Sequence, residues 1–174
     1  MPEASKPEPT AEGATAPSLT VRGILDRFPE AVIGTHAWRG DDTVVLRREA
    51  IVEVCRFLKH EPGLAYNLFV DLTAVDHLPR APRFEVVIHL LSIPHRHRVR
   101  LKVPLEEDDP VLDTLTGVWR GTDWFEREVW DMYGIVFRGH PNLKRVLLYE
   151  EFVGHPLRKD YPIDRRQPVI GPRN

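Results

Sequence analysis

The chain has 174 residues, of which 42% are hydrophobic and 29% are charged, and its formal net charge is −2. This length and composition predict one globular domain with a sizeable core. The balance of 24 basic against 26 acidic residues lacks the excess of Lys and Arg that is typical of nucleic-acid binders. The single cysteine, Cys55, excludes an intrachain disulfide and a four-thiolate iron–sulfur cluster built from this chain alone.

The first 17 residues are rich in Pro, Glu and Ala and almost lack large apolar side chains, which predicts a disordered leader. They contain neither a basic n-region nor an apolar core, so a signal peptide is not predicted. The longest apolar stretches fall far short of the roughly 20 residues that a membrane-spanning helix needs. We therefore expect a protein that stays in the cytoplasm and reaches a membrane only through a partner.

From residue 18 onwards the pattern predicts alternating helices and strands. Ser18 or Thr20 caps a short first helix, and an amphipathic second helix includes Ile51 to Leu58. Cys55 lies on the apolar stripe of this second helix, where we expect a buried and unreactive thiol. Strands are predicted at 31–36, 43–47, 68–75, 84–90 and 99–103.

Further along the chain the pattern becomes helical again, at about 111–116 and at 123–133. The order α-β-β-α-β-β-β, followed by a helix and an extended C-terminal arm, indicates an α+β fold. Its mixed or antiparallel sheet should carry the helices on one face. The predicted divisions are the leader (1–17), an α+β globular domain ending in the last helix (18–140) and a partner-binding arm (141–174).

The segment from Asp123 to Gly134 carries two of the four tryptophans. Asp123 and Glu126 are spaced as in a capping box, and Gly134 stands where a left-handed C-terminal residue is expected. Glu126 and Glu128 are two apart on a helix and cannot converge on one atom as a general acid/base pair. One stripe, with Phe125, Val129, Met132 and Tyr133, should face the chain's own core, and another, with Trp124, Glu128 and Asp131, a partner.

Other candidate sites are weaker. No nucleotide-binding glycine loop and no serine-nucleophile motif is present in the sequence. His95 and His97 would project from one face of a strand and share a metal ion, but no third ligand is near, so a free-standing His-metal enzyme is the minor alternative. Arg96, Arg98, Arg100 and Lys102 are expected to form one basic strand face, either solvated or facing an acidic surface of another subunit.

The last 35 residues carry five prolines, several basic residues and many apolar ones. So many prolines do not build a core, and so many apolar groups are unusual in a free tail. An extended arm laid on another protein explains both features, because prolines lower the entropy cost of ordering a chain.

The last helix and the start of the arm share a spaced set of residues: Glu126, Arg127, Glu128, Asp131, Met132, Tyr133, His140, Lys144, Val146 and Leu147. This set resembles the signature of the C subunit of bacterial NADH-quinone oxidoreductase, the respiratory complex I. The stretches 71–76 and 154–162 also look like that family. The resemblance therefore covers the chain from about residue 19 to its end.

The resemblance implies a cofactor-free structural and assembly subunit with no catalytic, cofactor-binding or metal site of its own. It would lie on the cytoplasmic side of the bacterial plasma (inner) membrane, peripheral to it, and dock against the D and B subunits. Those subunits line the quinone site and hold the terminal iron–sulfur cluster, so iron–sulfur clusters, FMN and quinone would belong to partners. The alternative is the equivalent subunit of a membrane-bound hydrogenase or another quinone-reducing complex.

Two sets of site residues follow from the resemblance. The expected partner interface contains Trp124, Glu126, Arg127, Glu128, Asp131, Tyr133, Gly134, His140, Lys144 and Arg145. The expected contacts of the arm are His155, Pro156, Leu157, Arg158, Lys159, Asp160, Tyr161 and Pro162.

Overall fold

The computed structural model describes residues 17–167. Nearly all of the predicted leader and residues 168–174 of the predicted arm lie outside the described residues. The elements, in chain order, are α1 (Leu19–Arg27), β1 (Val32–Trp38), β2 (Asp41–Leu46), α2 (Ile51–His60), β3 (Leu68–Asp76), β4 (Phe84–Ser92), β5 (His97–Leu105), β6 (Val111–Asp113), α3 (Thr122–Tyr133) and β7 (Val136–Arg138).

Five of the strands form one sheet in the order β1-β2-β5-β4-β3. All neighbours are antiparallel except β2 and β5, which run parallel. Alternate residues of the strands, such as Val86, Ile88 and Leu101, are fully buried on one face of the sheet. The buried stripes of the helices belong to the same core. The α+β class, the mixed sheet and the predicted element order are therefore confirmed.

Local sequence explains the first two helices. Ser18 Oγ accepts a hydrogen bond of 3.2 Å from the main-chain nitrogen of Val21, which confirms the predicted cap of α1. In α2 the buried residues are Ile51, Val54, Cys55 and Leu58, at the predicted i, i+3, i+4 and i+7 positions. None of the helices within residues 17–167 combines the length and apolarity that crossing a membrane requires.

Two predictions about the helical regions are wrong. Residues 111–113 form β6, which pairs in parallel with β7, because this tertiary pairing outweighs a weak local helical pattern. The capping box is also absent, since α3 begins after Gly121 and has no side-chain cap. Glu126 instead turns into the interior, where it is fully buried.

The predicted basic strand face is only partly correct. Arg96 lies in the β4–β5 turn with a positive φ of 55° and does not belong to the strand. Arg98, Arg100 and Lys102 do lie on the outer sheet face, and Lys102 pairs with Glu85 at 2.8 Å. Among residues 17–167, neither Arg98 nor Arg100 has a carboxylate within ion-pair distance.

The position of Cys55 leads to a prediction about its reactivity. Its side chain is fully buried on α2, and burial raises the pKa of the thiol far above its usual value. Because the thiolate is the reactive form, Cys55 should resist a thiol-specific disulfide reagent in the native chain at pH 8. It should react stoichiometrically in 6 M guanidinium chloride. Fast native labelling would show that the α2–sheet interface opens readily.

Candidate functional site

The first residues of the arm surround the side chain of Asp131 on α3. Asp131 Oδ2 accepts hydrogen bonds from the main-chain nitrogens of Val146, Leu147 and Leu148, at 3.1, 3.0 and 3.0 Å. Its Oδ1 accepts a charge-assisted hydrogen bond of 2.5 Å from Arg145 Nη1. The carboxylate is fully buried, so the arm supplies the donors that compensate its charge.

These donors decide the charge state of Asp131. Burial raises the pKa of Asp131, but the hydrogen bonds from the Leu148 nitrogen, from Arg145 and from the neighbouring main chain outweigh burial and lower it below its usual value. Arg145 also donates through Nη2 to the carbonyls of Phe152 and Gly154, at 2.7 and 3.2 Å. One ionised carboxylate and one guanidinium therefore fix the first third of the arm.

A second buried pair of charges anchors the arm further along. Arg83, just before β4, donates to both carboxylate oxygens of Asp76 at the end of β3, at 3.1 and 2.9 Å. Arg83 Nη2 also donates to Asp160 of the arm at 2.6 Å, and the main-chain nitrogen of Lys159 donates to Asp76 at 2.9 Å. Burial raises the pKa of Asp76, but Arg83 and the backbone donors outweigh burial and hold it well below its usual value.

Gly134 ends α3 and lies against the arm. Its φ of 76° confirms the predicted left-handed C-terminal position. A Cβ at this position would lie 2.7 Å from Arg158 Nη2 and from the ring of His155. Arg158 Nε donates to the carbonyl of Tyr133 at 2.5 Å, and His155 Nδ1 donates to that of Asp131 at 3.0 Å. Both the backbone and the arm therefore require glycine here.

Glu126 is a buried acceptor within its own chain. Its carboxylate accepts hydrogen bonds from the Leu115 nitrogen at 2.7 Å and from Thr114 Oγ1 at 2.5 Å. Burial raises the pKa of Glu126, which the hydrogen bonds offset only in part. The buried ring of His140 lies 4.0 Å away and donates through Nε2 to the carbonyl of Asp123 at 3.2 Å. Glu126 and His140 thus tie the residues flanking α3 to the helix.

Arg127 also engages its own chain. It donates through Nε and Nη2 to the carbonyls of Lys144 and Arg145, at 3.1 and 3.0 Å, and its guanidinium lies 4.9 Å from the ring centroid of Trp124. The side chain of Trp124 itself is 62% exposed. The expected interface residues thus divide into a buried group (Glu126, Arg127, Asp131 and the His140 ring), a half-buried group (Tyr133, Gly134 and Arg145) and an exposed group (Trp124, Glu128 and Lys144).

The expected arm contacts are likewise directed in part to the chain itself. His155, Arg158, Lys159 and Asp160 bind α3 or the β3–β4 end of the sheet. The ring of Tyr161 stacks on Phe152 at 6.1 Å. Pro156 is half-buried, whereas Leu157 and Pro162 are exposed. Contact of any of them with another protein remains a prediction.

Two residues of this site, Asp76 and Arg83, are not predicted from the sequence. The pattern gives Asp76 no role beyond a stretch that the family shares, and it gives Arg83 none at all. Arg83 binds Asp160 and Asp76 binds the nitrogen of Lys159, each across more than 75 residues of sequence. Local periodicity carries no information about contacts at such a separation. The sequence signal is limited to a carboxylate at the end of a mostly apolar strand.

His95 and His97 do not form a metal centre with a third ligand. Their rings stack at 5.6 Å, and their Nε2 atoms bond to the carbonyls of Pro62 and Leu64, at 2.9 and 3.2 Å. Across residues 17–167 no three His, Cys, Asp or Glu side chains gather in a way that could hold a metal ion. The hydrogen bonds of the two histidines instead connect the β4–β5 turn to the α2–β3 loop.

We predict that Asp131→Asn destabilises the chain, because the amide weakens the bond to Arg145 and leaves its guanidinium uncompensated. Loss of one partner from a buried pair costs about 3 to 5 kcal/mol, measurable by urea unfolding at pH 7. Glu128→Gln is the control on the exposed face of the same helix and should change stability by less than about 0.5 kcal/mol. Equal stability of the two variants would contradict the anchoring role.

The effect of Asp131→Asn should depend on pH. The folded pKa of Asp131 is lowered, so its contribution is complete above the ordinary aspartate pKa and is lost as pH falls through the folded pKa. The difference in unfolding free energy between wild type and Asp131→Asn should therefore be larger at pH 7 than at pH 3. A difference that grows on acidification would contradict the charge assignment.

Known proteins are similar to this chain over most of its length. The family model described as "Respiratory-chain NADH dehydrogenase, 30 Kd subunit" matches residues 44–167. The C subunit of NADH-quinone oxidoreductase from Geotalea uraniireducens is 45% identical over 150 residues, covering 85% of this chain and 90% of the relative. The protein of the same name from Roseiflexus sp. is 50% identical over 144 residues, covering 80% and 83%.

Solved structures agree with the fold. The trypsin-resistant fragment (1-134) of Nqo5 is 33% identical with a TM-score of 0.60, covering 72% of this chain and 100% of the fragment. A chain of the archaeal membrane-bound sulfane sulfur reductase has a TM-score of 0.65 at 24% identity, covering 82% and 84%, and shows a shared fold alone. The chain therefore belongs to the family of the 30 kDa subunit of respiratory-chain NADH dehydrogenase, whose bacterial relatives named above are C subunits of NADH-quinone oxidoreductase.

Proposed function

We propose that this chain is a non-catalytic assembly subunit of the proton-translocating NADH-quinone oxidoreductase. It docks against the D and B subunits, which line the quinone site and carry the terminal iron–sulfur cluster. The observation that carries the proposal is the arm, which is held by buried charges of the domain while Leu147, Val153, Leu157 and Ile163 of the arm remain exposed.

The buried charges support a structural role. Asp131, Asp76 and Arg83 are saturated by hydrogen bonds from within the chain, several of them from backbone nitrogens. A general acid or base must reach a substrate proton within hydrogen-bond distance, and these groups have no open side toward solvent. The proposed subunit therefore supplies contacts, and the FMN, iron–sulfur clusters and quinone of the complex belong to its partners.

The outer side of the arm supports docking. Leu147 is 61% exposed and Leu157 is 52% exposed, and Val153 and Ile163 are exposed as well. Exposed apolar patches on an ordered segment are typical of interaction surfaces. Trp124 and Glu128 on α3, with Lys144 and Lys159 of the arm, are exposed polar or aromatic groups that we assign to the rim of the same interface.

Membrane association would then be indirect. The chain would sit peripherally on the cytoplasmic side of the bacterial plasma membrane, held by its partner subunits. The fold is shared with a chain of the sulfane sulfur reductase, so the fold by itself does not select the electron donor. The relatives at 45 to 50% identity, named for NADH and quinone, favour NADH as the donor.

We predict that Leu157→Asp and Leu147→Asp reduce recovery of the chain with the membrane-bound complex by at least tenfold. On assembly, the introduced aspartate loses its hydrating water and gains no polar partner in an apolar docking surface. On the free chain it remains in water. The measurement is affinity isolation from solubilised membranes and quantification of co-purifying subunits. Thermal unfolding of the isolated variants should match wild type.

The matched control is Leu19→Asp, because Leu19 is 60% exposed at the first residue of α1. This variant should assemble normally. Co-purification of flavin and iron–sulfur subunits with the wild-type chain is the expected positive result. Normal assembly of both arm variants would remove the proposed role of the arm.

A further inference from the structure

A groove of about 660 Å³ lies where α2 ends, β3 begins and the 116–121 loop leads into α3, and no described residue of the arm lines it. Its volume falls within the range of ligand-binding clefts. It is open to solvent, since Asn67, Gly117, Arg120 and Gly121 on its walls are exposed. Such a groove suits a segment of another molecule better than a small enclosed ligand.

The groove has a one-sided charge. Lys59 and Arg120 line it, and no Asp or Glu does, although acidic residues outnumber basic ones in the chain. Within residues 17–167 neither cation has a carboxylate within ion-pair distance. Lys59 Nζ donates instead to the carbonyl of Val118 and lies 5.8 Å from the ring centroid of Trp119.

Trp119, which also lines the groove, carries a buried hydrogen-bond donor. The residue is 6% exposed, and its indole Nε1 has no acceptor among the described residues. Buried donors without acceptors are rare, because each one has lost its bond to water. The apolar part of the groove is formed by Phe69, whose ring lies 6.3 Å from that of Trp119, and by exposed Leu68.

We infer that this groove binds an acidic segment of another polypeptide in the complex. A carboxylate would lie between the Lys59 ammonium and the Arg120 guanidinium, and an adjacent apolar side chain would cover Leu68. Charge complementarity supports this occupant, since cations beside a surface without carboxylates attract an anion and repel basic segments. The inference rests on the proposed function, because the occupant is a partner subunit.

The test uses a photo-crosslinking amino acid at position 117 in the assembled complex. A Cβ at Gly117 meets no atom within 4 Å, so the site accepts a side chain without disturbing the fold. Irradiation should join the chain to a peptide of a partner subunit that contains Asp or Glu, identified by mass spectrometry. Arg120→Gln should lower the crosslink yield at least fivefold, and Arg120→Lys should restore most of it.

Arg56→Gln is the matched control, because Arg56 is an exposed cation of α2 that does not line the groove. It should leave the yield unchanged. A crosslink confined to the chain itself, one to a peptide without acidic residues, or a yield that Arg120→Gln does not change would overturn the inference. Absence of the unsubstituted chain from the complex would instead refute the proposed function, so the two failures are distinguishable.

Discussion

The burial of the Asp131 carboxylate is the constraint on which the rest of the site depends. An ionised carboxylate is stable in a protein interior only when several donors replace its water, and here the main chain of residues 146–148 and Arg145 supply them. The donors belong to a segment with no helix or strand of its own. The arm is therefore ordered by the charge, and the charge is tolerated because the arm is present.

The Asp76–Arg83 pair repeats this arrangement where β3 ends and β4 begins. Asp160 and the nitrogen of Lys159 complete its coordination, so the arm crosses between two buried charges, one on α3 and one at the end of β3. Because these polar anchors fix the arm, it is not held by burying all of its apolar side chains. Leu147, Val153, Leu157 and Ile163 remain exposed, whereas Phe152 and Tyr161 are half-buried.

The sequence predicted the elements better than the site because elements depend on local periodicity. The i, i+4 stripe of α2 and the alternation of β4 and β5 are repeated signals, whereas residues 111–113 become a strand only through pairing with residues 136–138. Glu126 and Asp131 lie on a helix both in the prediction from the sequence and in the structure. Their inward direction depends on Leu115 and Val146, which approach from outside the helix, and helical spacing carries no information about those approaches.

The spacing of the family signature now has a physical explanation. Asp131 holds the start of the arm, and Gly134, three residues on, provides the left-handed turn and the space for His155 and Arg158. Arg127, one turn before Asp131, binds the carbonyls of Lys144 and Arg145. These contacts indicate that residues of the signature hold the arm against α3. The exposed side chains of Trp124 and Leu157, which the proposed function assigns to partner recognition, are not fixed by this packing to the same degree.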